Sequence, residues 1–286
     1  MKRIIIITLK YSLYFVTSVM LALIIRLFLC NFYVVPSYSM EPTILPGDFI
    51  LTEKVSYGAR IITGLKFDRN SDPTMIRIPG VRKMRRNDVV VFNSPYRYEW
   101  DSIRMNLEQI FVKRCIGIPG DSLSIVGGYY RIAGFNDTLG YIAEQKRLSR
   151  FYHSIDSINM RTFPFDNTIN WNIINFGPLY VPAVGTTIEL TPKNFKLYRQ
   201  LIIFETGDVV WHDDSLVYIN DTVRHYYTFR SNWYFFAGDN VLNSQDSRYF
   251  GLIPEDYIIG RASIVLTSKE RYSNKRRWYR FMKRIK

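Results

Sequence analysis

Two serines and one lysine are the residues best placed for covalent chemistry. Ser37 and Ser39 lie in the run Pro36-Ser37-Tyr38-Ser39-Met40-Glu41-Pro42-Thr43-Ile44-Leu45-Pro46-Gly47-Asp48, a few residues beyond an apolar N-terminal segment. A serine hydroxyl is a weak nucleophile and needs a base within hydrogen-bond reach. The three histidines, His153, His212 and His225, sit in no motif-like setting, and His212 falls beside the acidic turn Asp213-Asp214. A Ser–His–Asp triad is therefore disfavoured. The run Phe111-Val112-Lys113-Arg114-Cys115-Ile116-Gly117-Ile118-Pro119-Gly120-Asp121 offers another base. It places Lys113 in an otherwise apolar strand, on one face with Phe111 and Cys115, with Arg114 on the other. An ordinary lysine, with a pKa near ~10.4, cannot accept a proton. Burial disfavours its charged form, so a desolvated Lys113 can deprotonate a serine near neutral pH. A plainer reading, an exposed edge-strand lysine that discourages aggregation, fits the pattern alone better.

The elements that would position these groups begin with the N-terminal segment. Tyr11 to Ile25 carry no charge, and Leu27 to Val35 continue apolar after Arg26. If the Arg26 stem reaches the interface, the segment spans the roughly 20 residues a membrane helix needs. Lys2, Arg3 and Lys10 precede it and no acid appears before Glu41, which predicts a cytoplasmic N-terminus and an exported body. Leu29 to Val35 are bulky and provide no small-x-small cleavage site, which favours a retained anchor over a cleaved leader. Beyond residue 35 the pattern is short strands: Phe49–Leu51, Val89–Phe92, Ile110–Val112, Tyr234–Phe236 and Tyr257–Leu266. Ser122–Ile125 and Tyr129–Ile132 form a hairpin around Gly127-Gly128. Leu201–Phe204, Val209–Trp211 and Leu216–Ile219 read as further strands. The expected layout is an anchor over 1–30, a catalytic β-domain from 31–132 and 231–268, an inserted β-rich subdomain over 133–230, and a basic tail over 269–286. In the tail, Trp278, Phe281, Met282 and Ile285 recur at helical spacing among Arg and Lys. That spacing fits a basic amphipathic helix at a membrane interface, or equally a solvated tail.

The net charge of +13 calls for an acidic partner, either nucleic acid or an anionic membrane surface. Residues 269–286 hold nine basic residues against one acid, so eight of those thirteen charges lie in the tail. Basic ends on an apolar anchor favour lipid over nucleic acid. The two cysteines, Cys30 and Cys115, show no metal-ligand spacing, so no metal or other cofactor is expected, and two separate thiols are favoured over a disulfide.

Four runs in this order resemble the boxes of bacterial type I signal peptidases. Two are the Ser37/Ser39 and Lys113 segments. The third is Arg86-Asn87-Asp88-Val89-Val90-Val91-Phe92 with Pro95. The fourth is Gly238-Asp239-Asn240-Val241-Leu242-Asn243-Ser244-Gln245-Asp246-Ser247-Arg248-Tyr249, continuing through Gly251, Pro254 and Gly260-Arg261-Ala262. Together they cover about a quarter of the chain. The resemblance implies a mostly β fold and a membrane-bound serine endopeptidase that removes signal peptides after small-x-small sites. It makes Ser39 the nucleophile and Lys113 the general base. Ser37 would donate to the oxyanion with the Ser39 N–H, and Ser244 would orient the lysine amine. Val35, Met40, Ile44, Phe111 and Val112 would line shallow substrate pockets, though Val35, Ile44 and Phe111 fit a plain core as well. Asp239, Asp246 and Arg248 would brace the loop beneath the dyad by ion pairs and caps. The implied partners are signal-peptide-bearing precursors and the lipid bilayer, and the implied location is the cell membrane with the catalytic domain outside the cytoplasm. Four positions depart from the pattern: Val241-Leu242 replace an Arg-containing pair, Asn87 a glycine, and Ala237 a common Met. A self-cleaving repressor protease, which would need a DNA-binding domain where the anchor stands, and a membrane-tethered scaffold are the rival readings.

Overall fold

The computed structural model describes residues 2–64, 72–97, 99, 102–151, 160–273 and 275–286. His153, one of the three histidines weighed above, lies outside them. Helix α1 (Lys2–Ile24) and a wider turn (Ile25–Leu29) make one continuous helical rod. From Arg3 to Leu29 it runs 27 residues with no buried side chain, and its most apolar stretch has a mean hydropathy of 2.1. At 1.5 Å per residue it reaches about 40 Å, longer than the ~30 Å hydrocarbon core.

The strands run, in chain order, β1 (Cys30–Val34), β2 (Asp48–Glu53), β3 (Arg60–Gly64), β4 (Thr74–Arg77), β5 (Val89–Ser94), β6 (Asn106–Gly117), β7 (Ser122–Val126), β8 (Tyr129–Ile132), β9 (Phe176–Tyr180) and β10 (Thr187–Glu189). They continue with β11 (Val210–His212), β12 (Val217–Ile219), β13 (Thr222–Arg224), β14 (Tyr226–Thr228), β15 (Trp233–Ala237), β16 (Ile253–Pro254), β17 (Ile258–Ser268) and β18 (Lys283–Arg284). The main sheet has the order β1-β2-β17-β5-β6-β15-β16, with β18 also paired to β17. Val89 to Ser94 are buried throughout, as expected of a central strand covered on both faces. Asn87 opens β5 at φ 68°, a left-handed conformation that asparagine tolerates and most residues do not. Its amide donates to the Thr138 carbonyl and accepts from the Gly140 N–H, tying the 133–230 region to this strand. The asparagine that stands in place of glycine is thus a working replacement.

Smaller sheets, β3-β4, β8-β7-β9, β10-β14 and β11-β12-β13, surround the main one. Two expectations fail here. Leu201 to Phe204 are not a strand but part of helix α3 (Pro192–Thr206). Thr191 caps its N-terminus by accepting from the Asn194 N–H, Pro192 fills the first turn, and Gly207 ends it at φ 75°. Those punctuation marks outrank the apolar run Leu-Ile-Ile-Phe, which cannot by itself tell strand from buried helix. A second helix, α2 (Ile142–Phe151), also lies in this region.

The tail is the other correction. It forms a single helical turn, Trp278–Arg280, and then β18, not an amphipathic helix. Arg280 is only 2% exposed and pairs with Asp48, Nη2 to Oδ2 at 2.5 Å and Nε to Oδ1 at 2.9 Å. Its Nη2 also donates to the Thr43 carbonyl at 2.9 Å. Ile285 enters the core beside Val35, Met40, Ile44 and Ile50. Pairing of the buried guanidinium and strand addition to β17 override the helical spacing, and Trp278, Phe281 and Met282 remain exposed.

Candidate active site

Ser39 sits in the loop between β1 and β2, which closes on itself. The Val35 N–H donates to the Asp48 carbonyl and the Gly47 N–H to the Val35 carbonyl, while the Asp48 carboxylate accepts from the Leu45 N–H. Arg280 holds the same Asp48 from outside, so the C-terminal segment clamps the loop that carries the serine. Behind Ser39, its carbonyl accepts from the Asn240 N–H at 3.1 Å. Only glycine fits at 238, where a Cβ would fall 2.5 Å from that carbonyl and 2.2 Å from Ser244 Oγ.

Lys113 stands on β6 opposite Val90 of β5. Its Nζ lies 2.6 Å from Ser39 Oγ. Both groups are largely withdrawn from water, Lys113 at 3% and Ser39 at 9% exposure. Burial lowers the Lys113 pKa from 10.5 to about 8, partly offset by Asp246 and Asp239, while Arg248 adds to the lowering. Those carboxylates do not pin a proton on the lysine because each is engaged by its own arginine. Asp239 accepts from Arg114 Nε and Nη2, both at 2.6 Å, and Asp246 from Arg248 Nε at 2.8 Å and Nη2 at 2.7 Å. Asp246 also caps helix α4 (Ser247–Phe250) and accepts from the Gly238 N–H. The ion pairs and caps expected of Asp239, Asp246 and Arg248 are present. Arg114 points away from Lys113, and Thr43 bridges it to the serine loop by donating to Asp239 at 2.5 Å. Neither Thr43 nor Arg280 stood out in the sequence, because no local pattern announces a partner about two hundred residues away.

Ser37 Oγ is 3.3 Å from Ser39 Oγ on the open side of the site. Ser244 does not make the expected bond to the lysine amine. Its buried Oγ has no hydrogen-bond partner among the described residues and packs against Gly238, while the Lys113 amine is directed to Ser39. A groove of about 610 Å³ passes over Ser39 and Lys113 between residues 33–40 and 109–113. Val35, Met40, Phe111 and Val112 line it, whereas Ile44 is wholly buried behind the loop and does not. His212 and His225 lie in the 133–230 region and make no hydrogen bond to Ser39; His212 sits on β11 against Phe195. Cys30 and Cys115 are both free. Val241 is buried with Leu148, Ile173 and Ile174, so the departure from an Arg-containing pair supplies an apolar plug between this loop and the 133–230 region.

A serine hydroxyl against a buried, weakly basic lysine is an arrangement able to perform acyl transfer. The family model described as "Signal peptidase, peptidase S26" matches residues 8–182 and 221–267, and the chain belongs to that family. It is 30% identical over 263 residues to a signal peptidase I of Buchnera aphidicola subsp. Baizongia pistaciae, covering 88% of this chain and 74% of that protein. It is 26% identical over 278 residues to the signal peptidase I of Aquifex aeolicus, covering 87% and 80% respectively. A crystal structure of a signal peptidase I from Enterococcus faecalis V583 aligns at 19% identity over 64% of this chain and all of that one. Its TM-score of 0.31 is too low to support a comparison of folds. The chain is accordingly a serine peptidase of the type that removes signal peptides.

Proposed function

We propose that this protein is a membrane-anchored endopeptidase that cleaves signal peptides through a Ser39–Lys113 dyad. The observation that carries the proposal is the 2.6 Å approach of a buried lysine amine to a buried serine hydroxyl, with every nearby carboxylate already paired. In its neutral form the amine accepts the Ser39 proton as Oγ attacks the scissile carbonyl. The developing oxyanion is met by the Ser37 hydroxyl and the Ser39 N–H. The resulting ammonium then protonates the leaving amine as the C–N bond breaks. A water, deprotonated by the same lysine, attacks the acyl ester, and Ser39 regains its proton as the C–Oγ bond opens.

Substrate geometry follows from unpaired strand edges. β15 pairs with β6 only from Arg114 onward, which leaves Phe111 to Lys113 with an open backbone edge beside the dyad. β1 is itself an edge strand. An extended peptide can add to such edges, with alternate side chains entering the shallow groove near Val35, Met40, Phe111 and Val112. That geometry supports small residues at the first and third positions before the cut. The cationic start and apolar helix support a cytoplasmic N-terminus with the catalytic body on the opposite side.

The test is cleavage of an exported precursor by the full-length protein. Wild type is expected to cut after a small-x-small site and Ser39→Ala to leave the precursor intact. Cutting by Ser39→Ala at the wild-type rate would refute the assignment.

A further inference from the structure

The groove over the dyad has a neighbour. Asn243 and Gln245, which line the groove, also line a second concavity of about 820 Å³. Phe163, Phe165, Leu242 and Tyr249 supply its apolar wall, and Lys196 and Arg199 of α3 supply cations. No carboxylate lines it among the described residues. Lys196 is already paired with Asp166 at 2.9 Å. Arg199 donates through Nε to the Val210 carbonyl at 3.2 Å and has no carboxylate partner among the described residues. Residues 183–220, which contain α3, fall outside the family match, so the cationic side that Lys196 and Arg199 supply is not part of what the family comparison covers.

The direction of a bound chain follows from the anchor. Tyr33 to Val35, which line the catalytic groove, follow the N-terminal helix directly. A signal peptide's apolar core precedes the cut and resides in the bilayer, so residues before the cut enter beside Tyr33 to Val35. Residues after the cut must leave past Asn243 and Gln245. We infer that the second concavity holds the first residues of the mature chain and that Arg199 favours an acidic side chain there. This rests on the dyad reading above.

The experiment uses full-length protein in detergent micelles and matched precursors carrying Asp, Asn or Lys at successive positions after the cut. The Asp precursor should exceed the Asn one by about threefold in kcat/KM at the position that meets Arg199, and Lys should fall below Asn. Added salt should flatten the series. Arg199→Gln should abolish the preference and Arg199→Glu reverse it, the Asn precursor serving as the reference within each variant. Equal rates for all three precursors with wild type would overturn the inference. So would an Arg199→Glu variant that keeps the wild-type order. Failure of wild type to cut any precursor would instead overturn the dyad reading, and this inference with it.

Discussion

Among the described residues two lysines, Lys54 and Lys113, are withdrawn from water, and they do different work. Lys54, at the end of β2, is 7% exposed, and burial lowers its pKa as it lowers that of Lys113. Its Nζ donates to the Arg26 carbonyl at 2.7 Å and the Leu27 carbonyl at 3.2 Å, in the last turn of the anchor. Those carbonyls have no partner along the helix, and the helix dipole there favours a cation. Lys54 therefore fastens the N-terminal helix to the body. Lys113 faces a hydroxyl, which becomes a donor once the amine is neutral. Burial alone does not make a base; the partner decides whether the neutral form has something to do.

The largest expected effect separates the two. Lys113→Met should lower kcat/KM for precursor cleavage by about 10⁴-fold, as loss of a base in a cooperative dyad does. Lys54→Met should leave single-turnover cleavage within a few-fold of wild type. Comparable losses in both would mean that burial near the anchor, not base chemistry, limits the rate. In wild type, kcat/KM should rise about tenfold per pH unit below pH 8 and level off above it, as the neutral amine becomes the dominant form.

Next in size is the clamp on the serine loop. Arg280→Met leaves Asp48 buried and unpaired, and should cost about 3–5 kcal/mol by denaturant titration. An effect below ~1 kcal/mol would show the tail to be a passive appendage.

The stability of the two lysine variants should move in opposite directions. Lys113 has a folded pKa of about 8 against 10.5 when unfolded, so the unfolded chain holds the proton more tightly. The resulting penalty is fully present below pH 8 and disappears as pH rises towards 10.5, so wild-type stability should increase across that window. Removing the amine as Lys113→Met should stabilise the protein at neutral pH by about 3 kcal/mol. Lys54→Met strands two carbonyls and should destabilise it, by about 1–3 kcal/mol. Calorimetry at neutral pH checks both signs.

The sequence was most legible where local pattern and chemistry coincide. The apolar N-terminal helix, the β5 run Val89–Phe92 and the Gly127-Gly128 hairpin follow from short-range signals, whereas the approach of Lys113 to the serine loop was expected only from the resemblance to the family's boxes. What escaped notice was long-range. Arg280 reaches Asp48 across the chain, and Thr43 joins Arg114 and Asp239. The strand expected at Leu201–Phe204 was a helix whose caps lay in plain view at Thr191, Pro192 and Gly207. Ser244 shows the limit of carrying a role over from the family. The residue is at the expected place, yet its hydroxyl packs against Gly238 and does not reach the amine.

The central claim is that burial lowers the Lys113 pKa to about 8, which brings its neutral form within reach near physiological pH. The most direct measurement is the titration of lysine Cε signals by NMR in full-length protein carrying ¹³C-labelled lysine, with the Lys113→Met variant assigning the resonance. A Lys113 signal titrating near 8 is the predicted result. A signal that titrates near the ordinary ~10.4 would contradict the account, since the amine could not then accept the Ser39 proton.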